Sequence, residues 1–272
     1  MVKHPALMAA LNAVLDGWDQ TPFRYADTFA GHPVNPLKDQ PRYEWQRGVG
    51  RLRDRATIGE GVDQDSVTNW IRLYLGKSQL VDTEYPGSAR VASDICAKRG
   101  VDFRLILWDT NPDVVTELRG EFASPAHSVH DRPADEMEED VANASFVFID
   151  PPRIEKPFTR EKLYAFLGAC KDRLQPVLVW LPVNAVTNTT PPSEDKESFA
   201  IRGIAIGLGY GVTKVRWDRG GRTFGCQLLY YLPRKAAEAV RAAVDKVVAV
   251  AGWREKDLPC EPVIHWPVQA HA

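Results

Sequence analysis

Apolar residues in this chain alternate between short continuous runs and helical spacing, which predicts buried strands separated by helices. A first short strand is predicted at residues 23–28, and longer ones at 103–108, 145–149 and 177–181. Near-continuous apolar runs of this length indicate parallel strands that are covered on both faces. Helical spacing of apolar residues predicts helices at residues 5–18, 89–99, 113–122, 160–173 and 234–251.

The last two predicted strands have a different relationship. They lie near residues 211–217 and 225–232, and the connection between them contains Gly220 and Gly221, a turn signal that predicts an antiparallel pair. A mostly parallel α/β sheet that ends in such a hairpin resembles the class I methyltransferase fold, which is Rossmann-like. In sheets of this kind ligands bind beyond the carboxyl ends of the strands.

One segment interrupts the alternation of strands and helices. Residues 38–82 are polar and charged, with helix-like patches around residues 67–75. We predict a helical insertion there, set into a core domain made of residues 1–37 and 83–272. Neither internal repeats nor low-complexity segments are found in the sequence.

Composition narrows the function classes. The net charge is −2, so no overall positive field attracts nucleic acid, and any such contact needs a local basic patch. The cysteines lack metal-ligand spacing, which predicts reduced thiols and no metal site. No apolar run approaches the roughly 20 residues of a membrane span, and the N-terminus lacks a signal-peptide core. We therefore expect a cytoplasmic protein without membrane contact.

Two predicted strands end in acidic residues that suit a ligand site. Asp27 opens a turn that reaches Gly31, where a glycine lets the backbone approach a ligand and the carboxylate can accept from an amino group. Asp109 follows the strand at 103–108 and is placed to accept from two ribose hydroxyls. The alternatives are an ordinary turn at Gly31 and a helix-capping role for Asp109 before Pro112.

A third strand end carries a stronger signal, Asp150-Pro151-Pro152. The amino group of adenine is a poor nucleophile because its lone pair is delocalised into the ring. A carboxylate and a rigid backbone carbonyl can accept its two N–H bonds and orient the nitrogen for attack on a methyl group. Asp150 and the carbonyl of Pro151 are the candidate catalytic groups. The alternative is a rigid loop capped by an aspartate.

These strand ends, in this order, resemble motifs of the RlmJ family of 23S rRNA adenine-N6 methyltransferases. The matching segments are Asp27–Gly31, Tyr85–Ser88, Asp109–Pro112, Leu118–Phe122, Asp150–Pro152, Trp180–Val183, Gly221–Gly225 and the pair Lys3-His4. The resemblance implies a methyltransferase that uses S-adenosyl-L-methionine, with Asp150 and Pro151 catalytic. It also implies cofactor contacts from Lys3, Asp27, Thr28, Gly31, Ser88 and Asp109.

The chain departs from the family pattern at positions that concern substrate. Arg153 stands where the family has an aromatic residue that stacks on the target base, and a guanidinium group can also stack. Pro33 replaces the second glycine of the cofactor loop. Other readings therefore stay open: methylation of DNA or a small amine, or an inactive protein of this fold that only binds a partner.

The predicted insertion holds the candidate nucleic-acid contacts. Five arginines lie between residues 42 and 55, and aromatic residues are interleaved with them. Arginines can grip phosphates while an aromatic ring stacks on an unpaired base. Together with Arg153, the candidates for RNA contact are Tyr43, Arg47 and Arg51, and RNA is favoured over DNA as the partner. The alternative is a solvated helix face.

Overall fold

The computed structural model describes residues 3–36, 84–132, 141–151, 160–183, 196–219 and 222–251. Its strands are β1 (Phe23–Asp27), β2 (Val34–Pro36), β3 (Glu84–Pro86), β4 (Phe103–Trp108), β5 (Ser128–His130), β6 (Phe146–Ile149), β7 (Val177–Val183), β8 (Gly211–Arg219) and β9 (Arg222–Tyr231). Its helices are α1 (Lys3–Leu15), α2 (Ser88–Lys98), α3 (Pro112–Glu121), α4 (Arg160–Asp172), α5 (Lys196–Gly207) and α6 (Arg234–Ala251).

Seven of these strands form one sheet in the order β5-β4-β1-β6-β7-β9-β8. The first five of that order pair in parallel, whereas β9 is antiparallel to both β7 and β8. Arg219 pairs with Arg222, so the hairpin closes across the predicted glycine turn. The predicted fold class, a mostly parallel sheet with a terminal antiparallel hairpin, is confirmed.

Helices cover both faces of the sheet. Side chains of α1, α2, α3 and α6 share one buried cluster with residues of β1 and β6 such as Tyr25 and Phe148. Side chains of α4 and α5 share a second cluster with Val147 and Val179 on the opposite face. Neighbouring residues of one strand alternate between the two clusters because strand side chains alternate between faces. Buried polar residues near the strand ends therefore stand out from an apolar background.

Two short strands join the ends of the predicted insertion. In β2 and β3, Val34 pairs with Pro86 and Pro36 pairs with Glu84, which brings the two sides of residues 37–83 together. The predicted insertion itself, residues 38–82, lies outside the described residues. Directly after β3, a Cβ atom at Gly87 would stand 2.1 Å from the carbonyl oxygen of His32, so only glycine fits there.

Among the described residues, no helix combines the length and apolar character needed to cross a bilayer.

Candidate functional site

Three acidic residues meet at the carboxyl edge of the sheet, as the sequence predicts. Asp27 ends β1, and Asp109 and Asp150 directly follow β4 and β6, which are the two parallel neighbours of β1. The chain adds β4 and β5 on one side of β1 and then returns to place β6 on the other side. This reversal of strand order creates the crevice in which α/β sheets bind ligands. The predicted placement of the three acidic residues at one edge of the sheet is confirmed.

Asp27 is a fully buried carboxyl group with several donors around it. The Tyr25 hydroxyl donates to Oδ2 at 3.0 Å and the backbone N–H of Phe29 donates to Oδ1 at 3.3 Å. Burial raises the pKa of Asp27 to about 7, and the nearby Asp150 carboxylate adds to the rise. The Ser88 hydroxyl and the other donors oppose the rise without cancelling it. A bound cation at this edge would favour the ionised form of Asp27.

We expect the free energy of unfolding of the ligand-free protein to fall as pH rises from about 4 to about 7. The folded chain keeps a proton on Asp27 up to about pH 7, whereas the unfolded chain releases it near pH 3.8. The slope is up to about 1.4 kcal/mol per pH unit from this group. Burial also raises the pKa of Asp150, which adds a dependence of the same sign.

Urea unfolding of the wild type and of Asp27→Asn at several pH values between 4 and 8 measures this dependence. The variant, which stays neutral, is expected to have a shallower slope and to be the more stable protein at pH 8. Asp94→Asn is the matched control, because Asp94 is a half-exposed carboxylate that pairs with Arg90 on the surface. A wild type that gains stability over this range would contradict the prediction.

Asp109 ties two loops together at the same edge. Its Oδ2 accepts from the backbone N–H of Gly31 at 3.0 Å and its Oδ1 from that of Asn111 at 2.9 Å. Asn111 is the N-cap of α3, since its side chain accepts from the N–H of Asp113. The alternative reading of Asp109 as the helix cap is therefore wrong. Each carboxylate oxygen keeps a second lone pair for a hydroxyl donor.

Gly31 supplies room beside Asp109. Its φ of +61° lies in the left-handed region, and a Cβ atom added there would have no atom within 4 Å. Glycine adopts this conformation without steric penalty, and its backbone leaves open space in front of the loop. A ligand can therefore approach the backbone between the ends of β1 and β4.

Asp150 forms an ion pair with the first residue of α1. Lys3 Nζ bonds to Asp150 Oδ2, although the two residues are 147 positions apart. Burial is the largest single influence and lowers the pKa of Lys3. The attraction and hydrogen bond of Asp150, together with the electrostatic effects of Tyr85 and Asp27, outweigh burial, so the net pKa of Lys3 is raised. Burial raises the pKa of Asp150, and the Lys3 ammonium opposes that rise. Pro151, which follows, is also buried.

A second polar pair lies behind Lys3. The Tyr85 hydroxyl and His4 Nδ1 form a hydrogen bond, and the two rings stack with their centroids 5.0 Å apart. His4 is buried, and burial together with the neighbouring Lys3 charge lowers its pKa well below the ordinary value. Burial raises the pKa of Tyr85 to about 12, so this hydroxyl stays protonated and neutral. The pair thus lines the back of the site without adding charge.

Two other predicted cofactor residues have mainly internal contacts. The Thr28 hydroxyl and backbone N–H both point to the carbonyl of Phe148, which joins the ends of β1 and β6. The Ser88 hydroxyl oxygen lies 3.4 Å from the carbonyl oxygen of Ala30 and is also within reach of the Asp27 carboxyl group, so its proton can go to either. The four predicted substrate residues lie outside the described residues: Tyr43, Arg47, Arg51 and Arg153.

The structure adds site residues that were not predicted. Trp180 on β7 places its ring beside Lys3, and Tyr25, His4 and Tyr85 surround the acidic groups. Tyr25 and Trp180 belong to apolar strand runs, so their pattern indicates core packing only. Trp180 had two signals, the resemblance of Trp180–Val183 to an RlmJ-family segment and a position near the carboxyl end of a strand that the structure places next to β6. The signal for Tyr25 was its spacing of two residues from Asp27, which puts both side chains on one face of β1.

The sheet order, with its terminal antiparallel hairpin, is that of the class I methyltransferase fold. A solved structure shares it: protein LPL1258 from Legionella pneumophila, described with the family model DUF519, aligns with a TM-score of 0.69 and 15% identity. The alignment covers 92% of this chain and 91% of that chain. Identity at this level shows the fold alone.

Other matches are weaker. A putative rRNA-methylase from Clostridium thermocellum aligns over 51% of this chain and 80% of its own at 10% identity. A precorrin-6y C5,15-methyltransferase from Geobacter metallireducens aligns over 53% and 75% at 14% identity. Both TM-scores are 0.32. No model of a protein family matches the sequence, and no curated protein does.

Proposed function

We propose that this protein is an S-adenosyl-L-methionine-dependent methyltransferase that acts on the N6 amino group of adenine in RNA. The observation that carries the proposal is the meeting of Asp27, Asp109 and Asp150 at the carboxyl ends of three adjacent parallel strands. The motifs at these strand ends resemble the RlmJ family, which supports RNA as the substrate and adenine N6 as the acceptor.

The residues present fit the methyl donor. Asp109 keeps lone pairs for two ribose hydroxyls, and the left-handed Gly31 leaves open space for the nucleoside beside it. Asp27 is a buried carboxyl group whose ionised form a positively charged ligand would stabilise. The donor supplies an electrophilic methyl group on a sulfonium centre. Asp27 would counter its charge, and Asp109 would fix its orientation.

Asp150 would orient the accepting amine. Lys3 bonds to Oδ2, so Oδ1 keeps both of its lone pairs and is the less hindered oxygen to accept one N–H of the substrate. The carbonyl of Pro151 would accept the other N–H, so the nitrogen lone pair is directed at the methyl group. The Lys3 ammonium favours the ionised form of Asp150, which is the form that accepts a hydrogen bond. The carboxylate would also favour the positive charge that develops on the attacking nitrogen.

Transfer of a labelled methyl group from S-adenosyl-L-methionine tests this function. The acceptors to compare are unmodified total rRNA, duplex DNA and small primary amines at equal concentration of amino groups. We expect label in rRNA, recovered as N6-methyladenosine after digestion to nucleosides. Label found only in DNA or only in the amines would show that RNA is not the substrate and that the labelled acceptor is. Binding of the donor without transfer to any acceptor would contradict the proposed enzyme and favour an inactive binding protein.

A further inference from the structure

Trp180 stands beside Asp150 although the two residues belong to different strands. In the parallel pairing of β6 with β7, Ile149 is the partner of Val179. One residue further along, Asp150 and Trp180 reach the same level of the sheet. The side chains of Ile149 and Val179 face the cluster that contains α4 and α5. Alternation along a strand therefore turns both Asp150 and Trp180 toward the opposite face, where α1 packs.

The first residue of α1 fills the space between these two side chains. Lys3 Nζ bonds to Asp150 and lies 5.7 Å from the centroid of the Trp180 ring, within the range of a cation–π interaction. The ring itself packs against the core cluster, so its position does not depend on Lys3. The lysine side chain is 27% exposed and has a flexible stem, so contacts are needed to hold it in one conformation.

We propose that Trp180 is a positioning residue: its ring holds the Lys3 ammonium against Oδ2 of Asp150 and so leaves Oδ1 for the substrate amine. This inference rests on the proposed function for its catalytic consequence, but the contact itself does not depend on any activity. Without the ring, Lys3 would sample other conformations and either oxygen of Asp150 would be free at different times. The acceptor would then be oriented in only part of the population, and turnover would fall.

An NMR measurement tests the contact without reference to catalysis. Protons that lie over an aromatic ring are shifted upfield, so in protein labelled on lysine the ε-methylene protons of Lys3 are expected upfield of those of exposed lysines. Lys3→Arg assigns the resonance. In Trp180→Leu the shift should collapse to the value of an exposed lysine. Ordinary shifts for Lys3 in the wild type would overturn the proposal.

A double-mutant cycle tests the consequence. Trp180→Leu is expected to lower kcat roughly three- to tenfold, the range set by an aromatic–cation contact, with KM for the methyl donor unchanged. Trp180→Phe, which keeps an aromatic face, should recover part of the loss. In a Lys3→Met background, Trp180→Leu should have no further effect on kcat. An equal loss with and without Lys3 would mean that the ring is only structural.

Trp18→Leu is the matched control for loss of an indole ring. Trp18 is also partly buried and packs against the same core cluster, but it contacts Phe23 at the start of β1, at the opposite edge of the sheet. Its replacement is expected to leave kcat unchanged, and a loss equal to that of Trp180→Leu would overturn the proposal. If the wild type transfers no methyl group, the proposed function fails, and the NMR shift still decides the role of Trp180.

Discussion

Replacing Asp150 with asparagine is expected to slow methyl transfer by roughly 100- to 1,000-fold, the usual effect of removing one pre-oriented polar group at a reaction centre. Asparagine keeps the shape of the side chain but loses the negative charge that accepts from the amine and pairs with Lys3. The methyl donor is expected to bind with unchanged affinity, because Asp27 and Asp109 are intact. Single-turnover transfer with saturating donor measures the rate, and calorimetry measures the affinity.

Asp16→Asn is the control for this change. Asp16 is likewise a carboxylate paired with a lysine, Lys235 at 2.9 Å, and it also accepts from Arg99 at 2.7 Å. It follows the C-terminal end of α1, whereas Lys3 begins that helix. Its replacement should lower stability slightly and leave the transfer rate intact. Transfer that persists at the wild-type rate in Asp150→Asn would show that the catalytic assignment is wrong.

The Asp109→Ala variant is expected to bind S-adenosyl-L-methionine at least about 100-fold more weakly than the wild type. Two hydrogen bonds to a charged acceptor would be lost, and each contributes about 1.5–3 kcal/mol. The variant also frees the N–H groups of Gly31 and Asn111, which loosens the loop beside the ligand. Isothermal titration at fixed pH measures the two dissociation constants.

Asp113→Ala separates the local effect from a general loss of acidic charge. Asp113 is exposed, lies in the first turn of α3 and is four residues from Asp109. Its removal should leave the affinity within about twofold of the wild type, since an exposed charge is screened by solvent. Equal affinities for the wild type and Asp109→Ala, with both proteins folded, would show that Asp109 does not bind the methyl donor.

The central sheet could be predicted because its strands are short apolar runs with strong turn signals between them. Elements with weaker signals were missed. Strand β5 has only three residues, all partly buried, so no alternation of apolar and polar positions marks it. Strands β2 and β3 contain Pro36 and Pro86, and proline is compatible with edge strands but is not a strand signal. Helix α5 includes Gly203 and three β-branched isoleucines, which lower its intrinsic helix propensity, so packing on the sheet stabilises it.

The acidic part of the site was predictable because a carboxylate directly after a buried strand is unusual in an apolar stretch. The aromatic and cationic part was not. Only strand order and register place Trp180 beside Asp150. Tyr25 is a buried core residue that reaches Asp27 because residues two apart on one strand share a face. Lys3 is 147 positions from its partner Asp150, a distance that no local pattern spans. Lys3 was among the predicted cofactor residues only because the pair Lys3-His4 resembles a motif of the RlmJ family.

The most direct test of whether Asp27, Asp109 and Asp150 form one ligand site is a crystal structure of the protein with S-adenosyl-L-homocysteine, the demethylated form of the donor. Both ribose hydroxyls are expected within hydrogen-bond distance of Asp109, about 2.6–3.2 Å, and the sulfur is expected to face the crevice between Asp27 and Asp150. The ligand bound at another edge of the sheet, or a protein side chain filling the space in front of Gly31, would contradict it.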